Sequence, residues 1–213
     1  PTAFTLRIFR KRLQDAGIET DLELVNVEAV DAPSRGGKPL FVYVSPLLSE
    51  IVTEINKRSN NFYAEQVLQT YGWGGSTRGG IRRTESFLRR AGISTRALSL
   101  NDGSGLSRKN LVTPQALRAL LAHMNDHAAG DVFRASIPRG GERGTTLSTR
   151  LGRTDVRAKT GSLAFVRGLS GYAERPDGGR VAFALFANNY TGPSYQITHT
   201  MDDVVRLLTA PPS

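Results

Sequence analysis

The 213-residue sequence contains no cysteine. This absence excludes disulfide bonds and every thiolate function, whether as a metal ligand or as a nucleophile. Acidic residues are fewer than basic ones: the sequence has 19 Asp and Glu and 28 Lys and Arg, which gives a formal net charge of +9. No apolar run approaches the ~18 residues that a membrane-spanning helix needs, so the sequence predicts no transmembrane segment.

Lysine is also scarce, since 23 of the 28 basic residues are arginine. The basic residues are scattered through amphipathic patterns, and no nucleic-acid recognition motif accompanies them. We therefore predict a solvated basic surface and no nucleic-acid partner, with a basic nucleic-acid-binding protein as the alternative. An anionic polymer such as a cell-wall mesh would also suit this surface.

Hydrophobic periodicity predicts mostly helices first, then a run of strands, then one helix. Extended segments are expected over 18–30 and 40–44, and the later strands over 153–160, 164–174 and 181–188. The order indicates an α+β domain with an antiparallel sheet. The helices are expected over 4–16 and 46–57, from about 62 to 71, up to Gly92, from Pro114, and over 196–209.

Three local expectations are specific enough to be tested by a structure. Pro46 fits the first position of a helix, because its missing N–H would be unpaired there in any case. Phe62 is placed on the inward face of the next helix. The nearly continuous apolar strand from Val181 to Asn188 is expected to be buried on both faces or nearly so.

Two short motifs carry chemistry. The first is Ser59-Asn60-Asn61, between two predicted helices, and the second is Lys159-Thr160-Gly161-Ser162, on a predicted strand. Serine β-lactamases and penicillin-binding proteins use an S-x-N and a K-T-G triplet in this order. Each triplet alone is a weak signal that a helix cap or a strand edge would also explain, but together and in order they are far more specific.

Residues 45–65, 102–114 and 157–172 resemble the D-Ala-D-Ala carboxypeptidase/endopeptidase family of low-molecular-mass penicillin-binding proteins. The resemblance extends over roughly residues 4–209. It implies a penicillin-binding transpeptidase-like (serine β-lactamase-like) α+β fold and a periplasmic or otherwise extracytoplasmic location. It also implies a peptidoglycan peptide or β-lactam as ligand and no metal or organic cofactor. The family's triplet is usually S-D-N, so Asn60 is a mild departure.

The family's S-x-x-K motif, which holds the nucleophilic serine and its lysine base, is absent, since no serine here has lysine three positions later. We therefore expect residues 1–213 to be the C-terminal part of one catalytic domain, with 1–44 returning from the family's insertion and 45–213 carrying S-x-N and K-T-G. An N-terminal segment of the same enzyme is the expected partner, and the isolated chain is expected to be inactive. A non-catalytic muropeptide-binding module is the alternative.

The resemblance also implies roles for the motif residues. Lys159 would place a positive charge beside Ser59, whose hydroxyl would relay a proton to the leaving amine. Asn61 would hold the substrate amide through its carboxamide.

The remaining roles implied by the resemblance concern the residues that follow Lys159 on its predicted strand. The hydroxyls of Thr160 and Ser162 would bind the terminal carboxylate of the peptide or β-lactam. Gly161 would let the ligand approach the strand closely. The Ser162 N–H would form half of the oxyanion hole.

Overall fold

The computed structural model describes residues 2–19, 42–72 and 75–210. The chain divides into two units, Pro1–Val44 and Ser45–Ser213. In the first unit, helix α1 (Thr2–Asp15) confirms the helix predicted over 4–16. It ends near Gly17, whose φ of 76° is a left-handed conformation that glycine adopts without steric cost. The extended segment predicted over 18–30 lies outside the described residues beyond 19, and the described part of the predicted strand 40–44 forms no strand.

The second unit contains helices, then three consecutive strands, then a last helix, which confirms the predicted α+β order. The strands form an antiparallel sheet with the order β1-β2-β3. None of the helices in the described ranges is both long enough and apolar enough to cross a membrane. The elements are α2 (Leu48–Arg58), α3 (Asn61–Tyr71), α4 (Thr77–Arg90), α5 (Pro114–Asp126), α6 (Gly130–Ser136), β1 (Val156–Leu163), β2 (Val166–Glu174), β3 (Arg180–Asn188) and α7 (Ser194–Leu208).

Helices cover both faces of the sheet. On one face, Val156 and Ala158 of β1 and Leu169 of β2 are fully buried against Val205 of α7. On the other face, Tyr172 of β2 packs against α5 and donates a 2.6 Å hydrogen bond to the buried Leu121 carbonyl. Alternate residues of β1 therefore face different helices, since strand side chains alternate between the two faces.

Two local expectations at the helix starts are wrong. Pro46 does not occupy the first helical position, because Leu47 is the N-cap of α2 and its N–H is bound by the Glu50 carboxylate. Phe62 is not turned inward but is 68% exposed. The Asn60 side chain caps α3, which puts Phe62 in the first turn, where the helix has little packed against it.

The apolar strand is less buried than its sequence predicts. Of the side chains of β3, only Phe183 is buried. Within the described residues β3 pairs with β2 alone, so it is an edge strand of this sheet. Helix α6 was not predicted, because its seven residues are too few to show a clear helical period.

Gly171 lets β1 and β2 approach each other, because a Cβ there would overlap the Arg157 carbonyl oxygen. We predict that Gly171→Ala lowers the free energy of unfolding by about 2–3 kcal/mol, since backbone atoms must move to admit the methyl group. The measurement is urea unfolding followed by circular dichroism. Gly161→Ala in the same sheet is the control, because its Cβ would meet nothing within 4 Å. Equal losses in both variants would contradict this explanation.

Candidate active site

Ser59 is placed by a left-handed turn at the end of α2. It is the C-cap of this helix, with φ 58° and ψ 48°. A residue with a side chain adopts this conformation at a cost of about 1–2 kcal/mol, and such strain is typical of functional sites. The turn directs the chain from α2 straight into α3, whose first residue is Asn61.

Long-range contacts hold the last turn of α2 in place. The Asn56 amide donates a 2.8 Å hydrogen bond to the Ser136 hydroxyl at the end of α6. The Lys57 ammonium pairs with the Glu142 carboxylate, and the Lys57 carbonyl accepts a 3.1 Å hydrogen bond from the Thr146 N–H. These contacts span about 80 residues or more, so no local sequence pattern indicates them.

Lys159 belongs to β1, and its side chain reaches Ser59. Its Nζ donates 2.9 Å hydrogen bonds to the Ser59 hydroxyl and to the Thr160 carbonyl. No acidic side chain of the described residues forms a salt bridge with it. Burial lowers the pKa of the Lys159 ammonium below its ordinary value, because removing the charge from water disfavours the protonated form.

The edge of β1 is covered up to Ala158 and open beyond it. The Gly140 N–H donates to the Val156 carbonyl, and the Ala158 N–H donates to the Pro138 carbonyl. Because backbone groups alternate in direction along a strand, the N–H and C=O of Thr160 and Ser162 point toward this same edge. The Thr160 carbonyl accepts from Lys159, but no described backbone segment pairs with these groups, so an extended ligand could bind along this part of β1.

The predicted motif residues lie on two sides of a cleft. The S-x-N residues lie where α2 meets α3, and the K-T-G residues lie on β1. Asn60, the middle residue of S-x-N, accepts a hydrogen bond from the Tyr63 N–H and caps α3. Asparagine and aspartate cap helices about equally well, so the departure from S-D-N leaves this role intact. Asn61 is exposed at the start of α3, and Gly161 and Ser162 are exposed on β1, where Thr160 is half-buried.

The loop that carries Asp102 to Gly105 is also held against this region by hydrogen bonds. Glu65 of α3 accepts hydrogen bonds from the backbone N–H groups of Gly103 and Ser104. Asp102 accepts from the N–H groups of Gly105 and Ser107 and from the Asn110 side chain. The loop is therefore ordered by carboxylates and packs on α3.

The described residues do not include a group of side chains that could bind a metal ion. Over the ranges 2–19, 42–72 and 75–210, no three His, Asp or Glu side chains come together in a suitable cluster. The chemistry available at the cleft is that of a partly buried ammonium, a hydroxyl in contact with it, and the open backbone edge of a strand.

An α+β fold that brings a K-T-G lysine onto an S-x-N serine defines the class of serine penicillin-binding enzymes and β-lactamases. A model of the D-Ala-D-Ala carboxypeptidase 3 (S13) family matches residues 1–210. The chain belongs to this family, as its motifs predict.

Curated relatives and solved structures agree with this placement. The chain is 34% identical over 206 residues to a D-alanyl-D-alanine carboxypeptidase of Actinomadura sp., covering 91% of this chain and 38% of that protein. It is 31% identical over 230 residues to penicillin-sensitive carboxypeptidase A of Dictyostelium discoideum, covering 98% of this chain and 42% of the relative. The chain thus spans about two fifths of the length of these relatives.

Among solved structures, penicillin binding protein 4 of Haemophilus influenzae in complex with a β-lactam superposes with a TM-score of 0.84 at 26% identity. The match covers 98% of this chain and 51% of that one. The TLA-3 extended-spectrum β-lactamase gives a TM-score of 0.61 at 18% identity, covering 92% of this chain and 77% of the other, and shows the fold alone. The predicted penicillin-binding α+β fold is confirmed.

The lowered pKa of Lys159 gives a direct prediction. In a ¹³C NMR titration of the lysine Cε resonances, Lys159 should lose its proton below the pH range of an ordinary lysine ammonium, because burial lowers its pKa. An anionic ligand in the cleft should raise the pKa of Lys159 again, because a negative charge favours the ammonium form. The variant Lys159→Met assigns the resonance. Titration of Lys159 in the ordinary range of a lysine would contradict the described burial.

Proposed function

We propose that residues 1–213 are the C-terminal part of a serine-type D-Ala-D-Ala carboxypeptidase or endopeptidase of peptidoglycan metabolism. Residues 1–44 would return from the family's insertion, and residues 45–213 carry the S-x-N and K-T-G region. The enzyme would act through an acyl-enzyme and bind β-lactams. Its substrate places it outside the cytoplasm, in the periplasm or an equivalent compartment.

The observation that carries this proposal is the 2.9 Å hydrogen bond from Lys159 to Ser59. The two residues are 100 positions apart, and each belongs to one of the two motifs. Their contact lies beside the open edge of β1, where a peptide backbone has room to bind. A helix cap or a strand edge, which would explain either motif alone, gives no reason for this contact.

The geometry supports a proton relay at Ser59. The Ser59 oxygen accepts its hydrogen bond from Lys159, so the hydroxyl proton is free to point at another acceptor. During acyl transfer, the scissile C–N bond breaks and the leaving nitrogen takes up a proton. Ser59 would donate that proton and Lys159 would stabilise the developing charge on the serine oxygen, while Asn61 holds the substrate amide.

The open part of β1 supports the binding of the acyl group and the carboxylate. The outward N–H of Ser162 would donate to the oxyanion, an interaction worth about 3–4 kcal/mol in comparable sites. The hydroxyls of Thr160 and Ser162 would bind the terminal carboxylate of the peptide. A Cβ added to Gly161 would have no protein atom within 4 Å, so any requirement for glycine comes from the ligand itself.

The nucleophile would come from an S-x-x-K segment, because no serine of residues 1–213 has lysine three positions later. We propose that this N-terminal segment of the same enzyme is the partner of the chain. Within the described residues, the outer edge of β3 has no partner strand, and its apolar side chains are mostly half-buried. These features support the proposal, because an exposed apolar edge strand tends to pair with another strand.

A non-catalytic muropeptide-binding module is the second candidate. It is favoured by one observation, the exposure of Gly161 and Ser162 on the open edge of β1, which would allow reversible binding of a peptide. The two candidates differ in covalent chemistry, since only the enzyme forms an acyl-serine.

The enzyme is tested by fusing residues 1–213 to the S-x-x-K segment of a family member. We predict that the fused protein is acylated by a fluorescent penicillin and that Lys159→Ala lowers the acylation rate ~10²-fold or more, the loss typical of removing one charge-stabilising group. Lys109→Ala is the control, because Lys109 is exposed and its ammonium makes no contact at the cleft. An unchanged rate in Lys159→Ala would remove this lysine from the mechanism.

The chain alone should bind benzylpenicillin only reversibly. Intact-mass spectrometry after incubation with excess benzylpenicillin should show no adduct, because no serine of residues 1–213 has lysine three positions later. Lys159 contacts Ser59, but an anionic ligand favours its protonated form, which cannot act as a base. Saturation-transfer NMR should show weak binding that Gly161→Ala reduces. A stoichiometric adduct on any serine of residues 1–213 would show that the chain carries its own nucleophile.

A further inference from the structure

Helix α4, which packs on α3, presents a strongly basic face to solvent. Five of its 14 residues are arginine, and Glu85 is its single acidic residue. All five arginines are exposed, so their charge is available to a partner. They are Arg78, Arg82, Arg83, Arg89 and Arg90.

Three of these arginines form one row along α4. Because each residue turns an α-helix by about 100°, positions separated by four and by eleven residues lie on the same face. Arg78, Arg82 and Arg89 have this spacing, and we call them the arginine row. It extends ~16 Å along the helix axis. Glu85 lies on the same face, where its carboxylate pairs with Arg89 at 3.8 Å.

The first two members of the arginine row are placed unfavourably for the helix itself. Arg78 and Arg82 form no hydrogen bond or ion pair with any residue of the described ranges. They are four residues apart, a spacing at which like charges repel each other. Arg78 also lies in the first turn, which contains no acidic residue and where the helix dipole disfavours a cation. An anion bound between the two guanidinium groups would offset both costs.

The other two arginines flank the row and are held by their neighbours. The Arg83 guanidinium lies over the Tyr71 ring, 4.6 Å from its centroid, and donates a 2.8 Å hydrogen bond to the Tyr71 carbonyl. Arg90 donates a 2.8 Å hydrogen bond to the Ser86 hydroxyl. Their charges widen the positive field around the arginine row.

The residue type and the length of the row indicate a polymer that carries phosphate groups. A guanidinium is a planar fork that binds two phosphate oxygens at once, and α4 contains no lysine. Arg78 and Arg82 are ~6 Å apart along the axis, so a single phosphate can bridge them, but it cannot also reach Arg89 at the far end. A chain of phosphates can follow the row from one end to the other.

The apolar residues of α4 argue against a lipid bilayer as the partner. A helix that binds a membrane surface inserts its apolar face among the lipid headgroups. In α4 this face is turned to the protein, since Leu88 is buried and Ile81 and Phe87 are half-buried. The Phe87 ring contacts His123 of α5. The exposed face therefore offers charge without apolar side chains to insert.

We propose that the arginine row is a binding surface for a flexible phosphodiester polymer of the polyol phosphate class in the cell envelope. Arg78 and Arg82 would bind its phosphates through paired N–H groups, and Arg89 would extend the contact. The inference rests on the proposed function only for the location outside the cytoplasm, because the binding needs neither Ser59 nor Lys159. Such binding would keep the enzyme close to the wall that contains its substrate.

The test is calorimetric titration of residues 1–213 with poly(glycerol phosphate) at several NaCl concentrations. We expect the polymer to bind about tenfold more tightly than monomeric glycerol 3-phosphate, because a polymer contacts several arginines at once. Arg78→Gln combined with Arg82→Gln should weaken polymer binding about tenfold. It should also reduce the slope of log K against log salt by ~1.4, since each phosphate contact to a flexible strand contributes ~0.7.

Arg108→Gln combined with Arg143→Gln is the matched control, because it removes the same charge from two exposed loop positions. Urea unfolding checks that the α4 variant is folded, which we expect because glutamine removes the repulsion between positions 78 and 82. An equal loss of polymer affinity in the two double variants would overturn the arginine row and leave net charge as the cause.

Two other ligands test the class of partner. Tighter binding of phosphatidylglycerol vesicles or of single-stranded DNA than of poly(glycerol phosphate) would overturn the assigned polymer. Failure of the polymer to bind would overturn the whole proposal. Neither result affects the proposed function, which the acylation of the fused protein decides separately.

Discussion

The candidate site depends on the left-handed turn at Ser59. A serine in this conformation is less stable than a glycine would be, so the surrounding structure must hold it. The contacts of Asn56 and Lys57 fix the turn before Ser59, and the Asn60 cap fixes the helix after it. The strain is therefore stabilised on both sides by interactions that do not involve Lys159.

The environment of Lys159 explains how the cleft would select its ligand. The ammonium is bound by a hydroxyl and a carbonyl, which are weaker partners for a buried charge than a carboxylate. A ligand carboxylate at this end of β1 would supply the missing negative charge in a place where water screens it little.

Sequence reasoning predicted those features that depend on local pattern and on motif. The helix at 4–16, the helix that begins at Pro114 and the three later strands follow from periodicity and positional preferences, and the structure has them. The left-handed Ser59 could not be predicted, because its conformation is imposed by residues about 80 positions away. The buried ion pair of Arg150 with Asp202, which ties the loop before β1 to α7, was missed for the same reason. The burial of β3 was overestimated, because an apolar sequence does not reveal whether a second strand lies beside it.

The point where the edge of β1 opens is set by the short helix α6. The segment that covers β1 runs antiparallel to it and pairs Arg139 with Arg157. By this register, Ile137 lies opposite Lys159. Ile137 is the C-cap of α6 and is still extended, with φ −81° and ψ 137°. The backbone of α6 is coiled and has no extended edge to offer to β1. Thr160 would lie opposite Ser136, inside α6, so it is the first residue of β1 that has no extended neighbour on this edge in the described part of the chain.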